Sequence, residues 1–184
     1  FVLIFISFCL QVSAQLSRTH YIPPITAASN NNALPQNQYL HISTPSISTI
    51  NVEINQLGVG VSNFSVSNTS PLEIFIGNGN DTSFVLPLSN TLVHASDKGY
   101  VIQSEKPVYA SVRLTAGNQN QAGSLVSKGL SGLGKVFRVG TFTNLKNFTS
   151  SNQDYINFVS VMATENNTEI NFSDIPDDVI LENN

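Results

Sequence analysis

The chain has 184 residues and few charges: 11% of the residues are charged, 41% are hydrophobic, and the formal net charge is −4. Its eight lysines and arginines are scattered. A nucleic-acid groove or an anionic-membrane patch needs basic residues in clusters, so neither partner is expected. The length suffices for one domain with a hydrophobic core.

An apolar run opens the chain. Phe1–Leu10 is almost entirely apolar, and the sequence Val12-Ser13-Ala14 after it has the small-x-small pattern of a cleavage site. We therefore predict that residues 1–14 are a signal peptide cleaved between Ala14 and Gln15, and that the protein is secreted or held at the cell surface. The run is shorter than the roughly 20 apolar residues that span a bilayer, and no second such run follows, so no transmembrane segment is expected in the mature chain.

Because Phe1 stands where Met would and no basic segment precedes the run, we expect the sequence to lack its first residues.

Cys9 is the only cysteine, and it lies inside the predicted signal peptide. A mature chain without cysteine has neither disulfides nor thiolate metal sites. Its stability must therefore come from a packed core.

Residues 15–38 are predicted to be an extended leader. Pro23-Pro24, the run Asn30–Asn32 and Pro35 disfavour a regular helix and a continuous strand.

From Tyr39 the apolar residues follow a period of two. Ile50, Val52 and Ile54 alternate with polar residues, which predicts a strand with one buried and one wet face. Gly, Asn, Ser and Pro clusters separate the further apolar runs, which are Phe64–Val66, Leu72–Ile76, Phe84–Leu88, Val108–Leu114, Val136–Phe142 and Phe158–Val161. The fold class is therefore predicted to be all-β. The predicted core positions are Ile50, Val52, Ile54, Val108, Ala110, Val112, Ile170 and Phe172.

The nearest approach to a helix is the segment 122–134. Its four glycines would each cost about 1 kcal/mol in a helix, so we predict a Gly-rich loop with at most one helical turn.

Three segments share one pattern of strand, polar break and second alternating strand: Tyr39–Ile54, Tyr100–Leu114 and Phe158–Phe172. They start 61 and 58 residues apart, which predicts stacked or radially arranged units of repeated antiparallel hairpins. An incomplete β-propeller-like array fits this period, and a β-sandwich is the alternative. The repeat domain is placed at 39–184, and its third unit is expected to be truncated at the C-terminus.

Candidate catalytic residues are few. His20, His41 and His94 are the only histidines, and no nucleophile elbow or zinc-type spacing accompanies them. His41 stands in a predicted strand, where a wet-face or hydrogen-bonded histidine is expected. The protein is therefore predicted not to be an enzyme, although paired carboxylates of a hydrolase would be invisible without a fold.

No cofactor is expected. Calcium is a minor alternative, because two groups of side chains could offer it oxygen ligands. These groups are Asn78, Asn80 and Asp81 in one turn, and Asp174, Asp177 and Asp178 around a proline.

Two stretches in the second half of the chain have a recognisable pattern. One is Gly123–Gly134 with the following Lys135–Phe142, and the other is Phe158–Phe172, where an apolar run, Ala-Thr-Glu-Asn-Asn-Thr and a second apolar run follow one another. Together they resemble the N-terminal domain of IgGFc-binding proteins. The leader Ser17–Ile25 resembles the mature start of large secreted flavobacterial proteins that carry this domain, often with gliding-motility or type IX secretion regions. The resemblance implies no catalytic residue.

These features predict a noncatalytic binding or adhesion module of a large extracellular or surface protein. Its partner would be an extracellular protein or a glycan, and the sequence assigns no binding residues. One alternative is an accessory domain of a secreted polysaccharide-degrading enzyme. A third interpretation is a hydrolase in its own right.

Overall fold

The computed structural model describes residues 15–27, 34–91, 93–117, 121–140 and 158–176. Within these ranges the chain forms nine strands and two short 3₁₀ turns, Leu88–Asn90 and Gly129–Gly132. The strands are β1 (Ser17–Ile22), β2 (Ile25–Thr26), β3 (Pro35–Ser43), β4 (Ile50–Gln56), β5 (Gly60–Val66), β6 (Leu72–Gly77), β7 (Val85–Leu86), β8 (Tyr100–Ala116) and β9 (Gln121–Val126). The predicted all-β class is confirmed.

The 17-residue strand β8 organises the sheet. Its first half pairs with β4 and β1, and β5 continues the sheet beyond β4. Its second half pairs with β3 and β9, and β6 continues the sheet beyond β3. We call these the first arm (β5-β4-β8-β1) and the second arm (β6-β3-β8-β9). All of their pairings are antiparallel, and β2 and β7 form a separate parallel pair.

A bulge in β8 separates the two arms. One residue separates Ser17 from Thr19 in β1, whereas four residues, 104–107, separate their partners Val108 and Gln103 in β8. The three additional residues in β8 bend the strand. The carboxylate of Glu105 accepts hydrogen bonds from the backbone and side-chain amides of Asn51, at 3.0 and 2.9 Å. These bonds, the backbone one foremost, hold the pKa of Glu105 below its ordinary value.

The loop between β3 and β4 lies against this bulge. Thr44 donates its hydroxyl to the carbonyl of Pro107 at 3.1 Å, and the ammonium of Lys106 donates to the hydroxyls of Ser46 and Ser48 at 3.3 and 2.8 Å. The two polar segments that the sequence predicts as breaks of separate units are thus hydrogen-bonded to each other.

Both arms contribute to one hydrophobic core. The core consists of Ile22, Leu40, Ile42, Ile50, Val52, Ile54, Val66, Phe84, Val85, Tyr100, Ile102, Val108, Ala110 and Val112. The core prediction is confirmed for the six positions in β4 and β8 and is wrong for two others. Ile170 and Phe172 are 46% and 65% exposed.

The predicted repeat units differ from the observed strands. Tyr100–Leu114 lies within one strand instead of forming a hairpin, because its polar segment forms a bulge and not a turn. The third unit, Phe158–Phe172, forms no strand. Both strands of the first unit pair directly with β8. The described strands therefore form two antiparallel arms that share one core instead of successive repeat units.

The predicted leader is integral to the fold. β1 pairs with β8 along the first arm, and Ile22 is fully buried. No continuous strand spans the segment, because Pro23-Pro24 lies between β1 and β2. The predicted signal peptide, with the cleavage position Ala14, lies outside the described residues, and Gln15 is the first residue described.

Two other local predictions are corrected. The segment 122–134 contains all but the first residue of β9 as well as the expected helical turn, Gly129–Gly132. Residues 136–140 and 158–161 are predicted to be strands but make no strand pairing. Their alternating pattern satisfies one requirement of a strand, but a ladder also needs a neighbouring strand.

Candidate functional site: the outer face of the second arm

The alternation that buries one side of the second arm places a distinct set of side chains on its other side. Leu40 and Ile42 point into the core from β3, and Val108, Ala110 and Val112 do so from β8. Successive side chains of a strand point to opposite faces. The outer face therefore carries Tyr39, His41, Ser43, Glu73, Phe75, Tyr109, Ser111 and Arg113.

An aromatic pair stands at one end of this face. Tyr39 lies opposite Phe75 of β6 and opposite Arg113 of β8. The rings of Tyr39 and Phe75 are 5.3 Å apart at 56°, within the range of favourable tilted aromatic pairs. Phe75 is nevertheless 53% exposed, so the pair presents ring surface to solvent.

A shallow groove of about 270 Å³ runs across the centre of the face. Its lining includes His41, Ser43, Glu73, Tyr109, Ser111 and Arg113. Ligand pockets for drug-sized molecules span about 300–1,000 Å³, so the groove suits one ring-sized group of a larger ligand. It offers carboxylate acceptors, guanidinium donors and hydroxyl groups within one surface.

A serine, a histidine and a glutamate form one cross-strand row in this groove. His41 lies opposite both Ser111 and Glu73, and its Nδ1 is 3.5 Å from the Glu73 carboxylate. The residue types are those of a hydrolytic triad. No hydrogen bond joins Ser111 to His41, so the row lacks the contact between nucleophile and base that such a triad uses.

Another serine and histidine, Ser127 and His20, are hydrogen-bonded to each other in a buried position between the two arms. His20 is fully buried in β1, and its Nε2–H donates to the carbonyls of Val108 and Ser17, at 2.9 and 3.2 Å. Its Nδ1 therefore accepts from the Ser127 hydroxyl at 3.0 Å, and Ser127 accepts in turn from the Gly129 N–H at 3.2 Å. Burial lowers the pKa of His20 below its ordinary value of 6.5, so the imidazole is held neutral. This cluster joins β1, β8 and the end of β9 and is closed to a substrate.

The structure places the three histidines in different settings. His41 lies half-buried on the outer face, as predicted for a wet-face histidine, and His94 is exposed in the loop before β8. His20 is the core residue that sequence reasoning missed. Its partner Ser127 lies 107 residues away, and no local pattern could have joined the two.

The outer face could have been recognised from the sequence. In both β3 and β8 an aromatic residue, Tyr39 or Tyr109, occupies the wet side of an alternating strand. This position of an aromatic residue on the wet side can be recognised from the alternation alone.

Three of the possible calcium ligands, Asn78, Asp81 and Asp174, have partners within the chain. The Asn78 side-chain oxygen accepts from the Asn37 N–H at 2.6 Å, and Asp81 pairs with Lys98 at 2.7 Å. Asp174 accepts a hydrogen bond from Ser173, whereas Asp177 and Asp178 lie outside the described residues. Over the described ranges no three His, Cys, Asp or Glu side chains lie together as metal ligands would.

Fold and face together define an all-β protein with one aromatic and polar outer surface. No family model matches the chain, and no curated protein is significantly similar to it. One solved structure, the crystal structure of Thermotoga maritima 1070, is similar over 61% of this chain and 97% of its own, with 16% identity and a TM-score of 0.30. A likeness at this level assigns no function. Among the described helical turns, none is long or apolar enough to cross a bilayer.

Proposed function

We propose that the protein is a noncatalytic binding module of an exported surface protein, and that the outer face of the second arm binds a glycan. The main support for this proposal is that exposed aromatic rings lie beside a groove lined with hydrogen-bonding groups. Phe75 and Tyr109 are 53% and 40% exposed. Aromatic rings contribute a large apolar contact area, and a small number of polar groups fixes the orientation of the ligand.

The location of the rings favours a glycan over an extended peptide. A peptide that adds a strand does so at a sheet edge, through backbone hydrogen bonds. The aromatic and polar groups described above lie on the face of the sheet. Their strands β3 and β8 have paired neighbours on both sides, and only β6, which carries Glu73 and Phe75, is an edge strand. A sugar chain can lie across such a face, with ring surfaces on the aromatic side chains and hydroxyls on Glu73, His41 and Ser111.

Export is part of the proposal and is supported by the apolar segment Phe1–Leu10 and the Val12-Ser13-Ala14 pattern after it. An accessory domain of a secreted polysaccharide-degrading enzyme would use the same face. The two interpretations therefore share one test of binding.

Affinity electrophoresis of the full chain in gels that contain cellulose derivatives, xylan or polygalacturonate tests the proposal. We expect retardation by at least one polysaccharide, and loss of that retardation in Tyr109→Ala and Phe75→Ala. Truncation of an aromatic contact residue commonly costs 1–2 kcal/mol or more of binding free energy, which is roughly tenfold in Kd. No polysaccharide should be cleaved.

Tyr21→Ala is the matched control. Tyr21 is half-buried in β1 of the first arm, on the side opposite the buried His20 and Ile22. If no polysaccharide retards the chain, or if Tyr21→Ala weakens binding as much as Tyr109→Ala, the glycan-binding face is rejected.

A further inference from the structure

We infer that the bound glycan is acidic and that Arg113 holds its carboxylate or sulfate group. This inference deepens the proposed function and rests on it. It is carried by the position of one guanidinium in relation to the aromatic rings and the groove.

Arg113 is exposed and lines the groove. It lies opposite Tyr39 of β3 on one side and opposite Ser124 of β9 on the other. Its guanidinium makes no ion pair or hydrogen bond with the described residues. Lys98 and Lys106, by contrast, donate to Asp81 and to two serines.

A free guanidinium on an aromatic surface recognises a planar or tetrahedral anion. Its rigid fork of N–H donors matches carboxylate and sulfate oxygens, and such charge-assisted bonds are roughly twice as strong as neutral ones. Arg113 and Tyr109 lie four residues apart on β8, which is about 13 Å along a strand. Both residues line the groove, so a sugar ring in the groove and its neighbour in a polysaccharide can contact the two side chains together.

The other charges of the face are compatible with this ligand. Glu73 also lines the groove, and its carboxylate lies 3.5 Å from the imidazole of His41. Glu73 can accept hydrogen bonds from sugar hydroxyls, whereas Arg113 donates to the acid group. Because the net charge of the chain is −4, long-range attraction of a polyanion is not expected, and recognition must be short-range.

The test compares pairs of polysaccharides that share a backbone. Polygalacturonate is compared with its methyl ester, and dextran sulfate with dextran, at about 0.15 M salt, where charges more than about 8 Å apart are screened. The carboxylate and sulfate pairs distinguish the two sources of the anion. We expect the full chain to bind one acidic form about tenfold more tightly than its neutral counterpart.

Two arginine variants separate recognition from general charge. Arg113→Gln should abolish the preference for the acidic form, and Arg113→Lys should weaken it because the planar fork is lost. Arg18→Gln removes the same charge from an exposed position on β1 of the first arm and should leave the preference intact.

The possible failures can be told apart. Equal binding of acidic and neutral forms, or equal effects of Arg113→Gln and Arg18→Gln, overturns the acidic ligand and leaves a neutral glycan face. Binding of an acidic peptide such as polyglutamate, with no binding of any polysaccharide, overturns the acidic ligand and the glycan face together.

Discussion

His20 stabilises the junction of the two arms through hydrogen bonds rather than through charge. Both of its ring nitrogens have partners, at 3.0 Å to Ser127 and 2.9 Å to the Val108 carbonyl. A buried polar group with all its bonds made costs little, whereas a buried charge without a counter-ion is expensive. No carboxylate takes part in this cluster, so protonation of the ring is disfavoured in the folded state.

This environment predicts a loss of stability in mild acid. Because burial lowers the pKa of His20, the unfolded chain takes up a proton below about pH 6.5 that the native chain does not. The free energy of unfolding should then fall by up to about 1.4 kcal/mol per pH unit, until the pH reaches the lowered pKa of the native state. Urea unfolding at pH 7.5, 6.5 and 5.5 measures this fall.

Two variants identify the group responsible. His20→Gln keeps an amide donor but cannot titrate, so it should be less stable at pH 7.5 and show a smaller loss towards pH 5.5. His94→Gln, at an exposed position, should retain the wild-type fall. A wild-type stability that stays constant from pH 7.5 to 5.5, or a full fall in His20→Gln, contradicts the assignment.

At the scale of elements, the turn after β9 is fixed by how closely it approaches β1. Gly129 has φ +56° and buried surroundings, and a Cβ placed there would lie 2.1 Å from the Cβ of Ser17. Both the left-handed backbone and the close contact require glycine. The Gly129 N–H also donates to Ser127, which links this turn to His20.

Gly129→Ala should therefore destabilise the fold strongly. Left-handed strain of about 1–2 kcal/mol and overpacking of about 1–3 kcal/mol together predict a loss of about 3 kcal/mol. Gly140→Ala is the control, because a Cβ at Gly140 meets nothing within 4 Å, and it should stay within about 0.5 kcal/mol. Urea unfolding measures both, and equal stabilities of the two variants would show that the contact between Gly129 and Ser17 is not formed.

The sequence predicts elements well where one strand face is buried. Ile50, Val52 and Ile54 alternate with polar residues and are 3% exposed or less. The same period identifies the outer face, although it does not say which outer aromatic residues meet. That depends on register, which places Tyr39 opposite Phe75 and Arg113.

The hydrogen bonds between residues far apart in the chain could not be predicted from the sequence. Residues 104–107 have the composition of a turn, yet bonds from Thr44 and Asn51 to Pro107 and Glu105 hold them as a bulge inside one strand. Turn propensity is local, whereas the choice between turn and bulge depends on groups about 50–60 residues away. The buried contact between His20 and Ser127 has the same origin.

At the scale of the whole molecule, the chain has few charged residues and also has two segments outside the sheet with exposed apolar side chains. In 130–139 and 158–175, large hydrophobic residues are 41–88% exposed, among them Phe137, Phe158 and Phe172. The hydroxyl of Ser160 donates to the Pro24 carbonyl at 2.5 Å, while the neighbouring apolar side chains remain in contact with solvent. Exposed alternating segments of this kind favour association between chains, and few charges oppose it.

We therefore expect the full chain to self-associate as its concentration rises, through residues that include 158–175. The double variant Phe158→Ser with Phe172→Ser should shift the chain towards monomer in sedimentation velocity. Its free energy of unfolding should change little, because Phe158 is already 43% exposed and Phe172 65% exposed in the folded chain. Val61→Ser removes an apolar side chain that is 55% exposed on β5 and should leave association unchanged. A chain that stays monomeric at all concentrations, or an equal effect of Val61→Ser, would show that these segments do not mediate contact between chains.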